Sequence, residues 1–321
     1  MRQWGMVLAV LLCTGILLAP KWMAQEVVAA EEAITMEPKE VIAVEHKEMA
    51  SFDDALELKV LREDTVVEMS LGEYLVGVVS REMSETFPAE ALKAQAVAAR
   101  TFTLRQIENG KHRQADICTD SSCCQAWTAE HNEQARQAVV ETDGLVAVYD
   151  DRLIEATYFS CSGGRTEPAV AVWGNDLPYL QSVSSPGEED APRFTETVEL
   201  EAELFAQRLL SAYPQMELCG TAPQWFGQLR YTVGGGLAEV ELGGVSVTGI
   251  SLRKLFGLRS TDMRFAVNEE RIQITTYGYG HRVGMSQYGA KAMAEAGAGF
   301  EEILTYYYQG VELRRLELVQ E

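Results

Sequence analysis

The chain has 321 residues, 47% hydrophobic and 23% charged, with a formal net charge of -21. That composition supports one large or two modest domains with a sizeable core and excludes disorder throughout. The acidity argues against nucleic acid, other polyanions or anionic lipid heads as ligands, because each needs basic surface to displace counterions.

The first element is MRQWGMVLAVLLCTGILLAPKWMAQ, with Arg2 at its start, an apolar run from Trp4 to Ala19, then Pro20, Lys21 and Trp22. Residues 1–24 read as a membrane-targeting segment, cleaved or retained, with a retained single anchor the favoured reading. Either way the remainder is delivered outside the cytoplasm, where thiols can oxidise. Cys13 follows Leu12 inside the apolar run and reads as a membrane cysteine rather than a lipidated one. Residues 25–57, rich in Glu, Ala and Val, read as an acidic solvated tether.

From Leu58 the pattern becomes globular. A strand is expected over Leu58–Met69, then a helix in SLGEYLVGVVSREM, where Ser70 and Glu73 have capping-box spacing and Tyr74, Val78 and Glu82 share a stripe. A second helix, EALKAQAVAARTFTLRQIE, follows Pro88, with Lys93, Val97 and Arg100 on one face. His131–Thr142 reads as helix, and LVAVYDDRLIEATYFS as strand, turn at Tyr149–Asp151, and strand. A helix is expected over about 195–213, short strands with tight turns over 230–249, a short helix at SLRKLFGL, and two helices after about Ser286. Strands and helices mix without strict alternation, so an α+β fold of helices and short antiparallel strands around a groove is expected over 58–315, with a smaller lobe at about 195–275.

Glu82 falls at a helix C-terminus on an apolar face, where both the dipole and desolvation favour its protonated form. Lys93 and Arg100 could face it across the short connection as substrate-binding cations. His281, in YGYGHRVGMSQYG, lies between glycines and precedes Ser286 and Gln287 at a helix start, and a loop of this kind would position all three against a substrate. The loop after Tyr158, CSGGRTE, adds Ser162 and Arg165 as a second polar rim. No GxSxG elbow occurs. In ICTDSSCCQAW, adjacent Cys123 and Cys124 would bridge only with strain, and Cys118 to either closes a very small loop. His112, Cys118 and Cys124 are six apart in turn, with Cys123 beside them, a soft donor set that suits zinc. Spacing alone leaves buried thiols open, and Cys161 and Cys219 are either buried thiols or one long-range disulfide.

The motifs LGEYLVGVVSREM…FPAEALKAQAVAARTF, YFSCSGGRTE…VWG…PYLQSV, VTGISLRKLFGLRST and GHRVGMSQYGAKAMAEAG together resemble the stage II sporulation protein D family of cell-wall lytic transglycosylases. The resemblance spans roughly Leu58 to Leu313. It implies a membrane-anchored enzyme of sporulation engulfment that cuts peptidoglycan between N-acetylmuramic acid and N-acetylglucosamine, preferring strands stripped of stem peptides, and works with an amidase and a membrane scaffold. It makes Glu82 the essential acid and places Lys93, Arg100, Tyr158 and His281 in the active site or groove. It also implies zinc, since a clostridial branch builds a zinc site beside the glutamate from a histidine and cysteines of this segment; the ligands would be His112, Cys118 and Cys124, with Cys123 the uncertain member. Arg282 stands where the family usually has glycine, and Phe159 where a small polar residue is common. One acid suffices for such chemistry, because the sugar's own 6-hydroxyl is the nucleophile and no second carboxylate is needed. Two other readings remain: a non-catalytic glycan-binding enhancer of a wall amidase, and a zinc hydrolase in which the metal activates water.

Overall fold

The computed structural model describes residues 51–318, so the expected anchor and nearly all of the tether lie outside the described residues. Among the described residues no helix is long and apolar enough to cross a membrane. The fold mixes helices with several small sheets, mostly antiparallel. Two strand pairs are parallel, against the antiparallel expectation: Glu57–Arg62 with Ile117–Cys118, and Tyr158–Phe159 with Met285–Ser286.

The described residues begin within the stretch read as tether. Phe52–Ala55 is a helical turn whose first N–H groups, those of Phe52 and Asp53, donate to the Asp143 carboxylate at 3.1 and 3.0 Å. The single strand expected next is a hairpin, Glu57–Arg62 against Thr65–Ser70, turning through Glu63 in the left-handed region. Ser70 then caps the glutamate helix, Leu71–Glu82, its hydroxyl accepting from the Glu73 N–H at 3.2 Å. Leu71, Tyr74, Leu75, Val78 and Val79 are fully buried along it, and each such side chain contributes about 1.5–3 kcal/mol by leaving water.

The long helix Ala89–Glu108 is the axis of the main core. Its buried Ala91, Ala94, Ala96, Ala98 and Ala99 let the glutamate helix, Glu133–Glu141, Gln287–Glu295, Phe300–Tyr307 and the strand Leu145–Tyr149 pack around it. Arg100 on this helix is fully buried and does not reach the groove. Its guanidinium pairs with Asp53, Nε to Oδ1 at 2.8 Å, and donates to the carbonyls of Val139 and Leu145. The substrate-binding expectation for Arg100 is therefore corrected: the side chain fastens the entry turn to the core. A buried pair broken on one side costs about 3–5 kcal/mol.

A second apolar core, including Phe205, Leu209, Val240, Leu252, Phe256, Met263 and Ile274, forms between residues 198 and 274. The helix expected at 195–213 is instead a strand, Thr195–Glu201, followed by a helix, Ala202–Ala212. TETVELE alternates in burial with period two, and this strand pairs along its whole length with Arg271–Tyr277. Asp262–Val267 completes that sheet, and Phe226–Tyr231, Leu237–Leu242 and Val245–Thr248 form another. Thr248 caps the helix Gly249–Phe256, and Gly257 at φ 66 ends it.

Candidate active site

A groove of about 830 Å³ runs past the C-terminus of the glutamate helix, lined by Glu82, Phe102, Gln125, Tyr158, Phe159, Trp173, Tyr279, His281 and Gln287 among others. Glu82 Oε1 accepts the Ala126 N–H at 3.3 Å and Oε2 accepts Gln287 Nε2 at 3.0 Å. Gln287 opens the helix Gln287–Glu295, so the last residue of one helix faces the first of another. Burial pushes the Glu82 carboxyl up, and the two hydrogen bonds and Arg81 only partly pull it back. Glu82 is the one acidic side chain lining this groove among the described residues.

Tyr158 stands opposite, its hydroxyl donating to Gln125 Oε1 at 2.8 Å, while Gln125 Nε2 donates to Thr103 Oγ1 at 2.8 Å. His281 lies between the rings of Phe159 and Trp173, with centroids at 5.6 and 5.5 Å. Its Nδ1 accepts the Val283 N–H at 3.2 Å, which leaves the neutral ring's proton on Nε2. Burial first, then the nearby Arg253, pushes the imidazole down to about 4, so at neutral pH it is an uncharged donor. Trp173, 42% exposed, also lines the groove.

Beside the acid, the donor atoms of His112, Cys118, Cys123 and Cys124 all lie within 4.8 Å of one another. His112 Nε2 is 3.2 Å from Cys124 Sγ and 3.8 Å from Cys123 Sγ, and the two sulfurs are 3.9 Å apart. A cation bonded at about 2.3 Å to sulfur and about 2.0 Å to nitrogen would space tetrahedral donors by about 3.5–3.8 Å. The cluster therefore fits a metal ion. The parallel pairing of Ile117–Cys118 with Val60–Leu61 and the turn in which Cys124 N–H donates to Asp120 O at 2.7 Å bring these donors together. The same segment continues through Gln125, which holds Tyr158, and Ala126, which holds Glu82. Trp127 then packs so closely on Gly77 of the glutamate helix that a Cβ there would lie 2.1 Å from the indole nitrogen. All five described cysteines are free; Cys161 is the expected buried thiol, whereas Cys219 is corrected to an exposed one.

Other expected groove residues lie elsewhere. Lys93 is paired to Glu90 at 2.9 Å and Glu141 at 2.6 Å, and these two carboxylates hold it off the groove lining. Ser162 and Ser286 are buried and donate to Glu188. Glu188 accepts six hydrogen bonds, from Ser162 N and Oγ, Gly163 N, Gly164 N, Ser185 Oγ and Ser286 Oγ. These serines position the loop and the helix start that carries Gln287, so substrate binding is corrected to support from behind. The Arg165 side chain is exposed and outside the groove lining, and its backbone bridges to Ser184, so the rim expectation for Arg165 is corrected. Arg282 is fully buried at φ 67. It donates to the carbonyls of Ser162, Arg165 and Gly234 and pairs with Glu167 at 3.3 Å and Asp262 at 3.4 Å. It thus clasps the main core to the second core immediately after His281. Sequence reasoning missed Gln125, Glu188 and the clasp, because an isolated polar residue in a loop carries no periodic or spacing signal of its partners.

Geometry and donor set define a protein with a single-carboxylate, aromatic-lined groove beside a cluster that could hold a metal ion. The family model described as Stage II sporulation protein matches residues 61–149. Stage II sporulation protein D of Bacillus subtilis strain 168 is 34% identical, covering 98% of this chain and 96% of its own length. The protein of the same name from Bacillus amyloliquefaciens is 37% identical over 78% of this chain and 75% of its own. An "Amidase enhancer" of Bacillus subtilis is 28% identical over 74% of this chain and 40% of its own. The chain belongs to the stage II sporulation protein D family.

Proposed function

We propose that this chain is a lytic transglycosylase that cleaves the bond between N-acetylmuramic acid and N-acetylglucosamine in peptidoglycan, on strands stripped of stem peptides, during sporulation. The observation that carries the reading is the solitary raised carboxyl of Glu82 in a groove lined by no second acid among the described residues. A glycosidase that manages water or a covalent intermediate needs two carboxylates. Here protonated Glu82 gives its proton to the glycosidic oxygen as the bond to the muramyl C1 breaks. The resulting carboxylate takes the proton of that sugar's 6-hydroxyl, whose oxygen closes on C1 as a 1,6-anhydro ring. Glu82 ends protonated, as it began. Trp173 offers a stacking face to a sugar ring, and neutral His281 a hydrogen-bond donor to a sugar oxygen.

His112, Cys118, Cys123 and Cys124 would hold zinc, the ion that soft thiolates and imidazole at tetrahedral spacing suit best. When bound it supplies a cross-link that fixes the segment carrying Gln125 and Ala126. The N-terminal apolar run would anchor the chain in the cell membrane with the groove outside the cytoplasm. A wall amidase and a membrane scaffold are the expected partners.

The relative named an amidase enhancer favours a second reading, a groove that binds glycan without cutting it. The product separates them. Peptide-free glycan incubated with the full-length protein should yield 1,6-anhydro ends by mass spectrometry. Reducing ends would mean a hydrolase, and intact strands that still bind would mean the enhancer.

A further inference from the structure

We propose that Arg81, Lys111 and Arg193 form a carboxylate-reading rim that engages the free lactyl groups of muramic acid in the groove. The inference rests on the glycan-cleaving reading above and specifies what the groove recognises in that glycan. The lactyl ether of muramic acid ends in a neutral amide where a stem peptide is attached and in an anionic carboxylate where it is not.

The charge of the groove runs against that of the chain. The whole sequence carries a net charge of -21, a field that repels an anionic strand. Yet the charged groups lining the groove are Arg81, Lys111 and Arg193 against Glu82 alone, and burial favours the neutral form of Glu82. All three cations are exposed, and none has a carboxylate partner among the described residues. Lys93, by contrast, is neutralised by two glutamates. Two of the rim cations are steadied without being neutralised: Lys111 donates to the Cys123 carbonyl, and the Arg193 guanidinium lies 5.1 Å from the centre of the Tyr279 ring. A guanidinium fork with free N–H groups matches a carboxylate in two-point geometry, which a neutral amide cannot repay.

Arg81 is also the residue before the acid, and its charge pulls the Glu82 carboxyl down. A substrate carboxylate seated on Arg81 cancels that pull and favours the protonated acid that starts the reaction. The rim therefore couples recognition of a stripped strand to readiness of the acid.

The test uses the full-length Glu82→Gln protein, which holds the substrate uncut, and muramyl–glucosaminyl tetrasaccharides with the lactyl group as free acid or as methylamide. The free acid should bind about three- to tenfold more tightly than the amide. The gap should shrink in Arg81→Gln and Arg193→Gln and at high salt. Equal binding of acid and amide would overturn the rim and leave the cleavage reading standing; no binding of either would overturn both. In otherwise wild-type protein, Arg81→Gln should also move the high-pH limb of the cleavage profile upward, because a charge that lowers the Glu82 pKa is gone. An unmoved limb would remove the coupling.

Discussion

Glu188 and Glu82 are both carboxylates folded away from bulk water, and the chain surrounds them in opposite ways. Glu188 collects six donors from the CSGGR loop, Ser185 and the start of the helix Gln287–Glu295. Every lone pair it could offer is spoken for, and it ties three segments together. Glu82 receives one backbone N–H and one amide, both at 3.0 Å or longer, and opens on a groove. The difference is one of spare capacity: a saturated carboxylate is an architectural joint, whereas an under-donated one in an apolar wall can exchange a proton.

The comparison breaks most sharply at Glu82 itself. Glu82→Gln should lower anhydro-product formation by about 10²–10⁴-fold, measured on peptide-free glycan. It should not lower the midpoint of thermal unfolding at neutral pH. The Glu82 pKa is raised on folding, so the folded state holds this proton more tightly than the unfolded one. Stability contributed by that proton is complete below the ordinary carboxylate range and is lost as pH rises through the raised value. Glutamine cannot ionise and escapes the loss. Glu188→Ala should do the reverse, costing about 3 kcal/mol or more in urea unfolding by leaving buried donors unpaired, with activity falling only as the fold does.

Removing the proposed metal is the next smaller effect. Exhaustive chelation, or Cys118→Ser, should abolish stoichiometric metal by elemental analysis and lower stability by about 2–3 kcal/mol at ion concentrations near a hundredfold above the dissociation constant. The smallest expected change sharpens the picture of Glu82 alone. Gln287→Leu removes a donor that holds the Glu82 pKa down, so the high-pH limb of the rate profile should move upward. A downward shift would mean that Gln287 steadies the neutral acid instead.

Much of the helical frame was legible from periodicity and caps: the helices at Leu71–Glu82 and Ala89–Glu108 begin where Ser70 and Pro88 place them. The strand Thr195–Glu201 was hidden because its alternation abuts the amphipathic helix Ala202–Ala212, and a single window averages the two periods. At the site, Glu82 was readable because helix end and apolar stripe are local properties. Lys93 and Arg100 were misplaced for the converse reason. A helical face shows which residues point together, but their partners Glu141, Asp53 and Thr142 come from distant segments. The four metal-cluster residues lay close in sequence, yet their approach depends on the pairing of Ile117–Cys118 with Val60–Leu61, a register that no local pattern records.

Arg282 sets a backbone cost against a buried polar gain. Its backbone, at φ 67, suits glycine, while its guanidinium serves five acceptors from both cores. Substitution by glycine would relax the backbone by about 1 kcal/mol, but it would leave buried Glu167 without its cation and Asp262 with Arg264 alone. Arg282 and Glu167 therefore act as one unit, since removing the guanidinium alone leaves a buried carboxylate without its counter-charge.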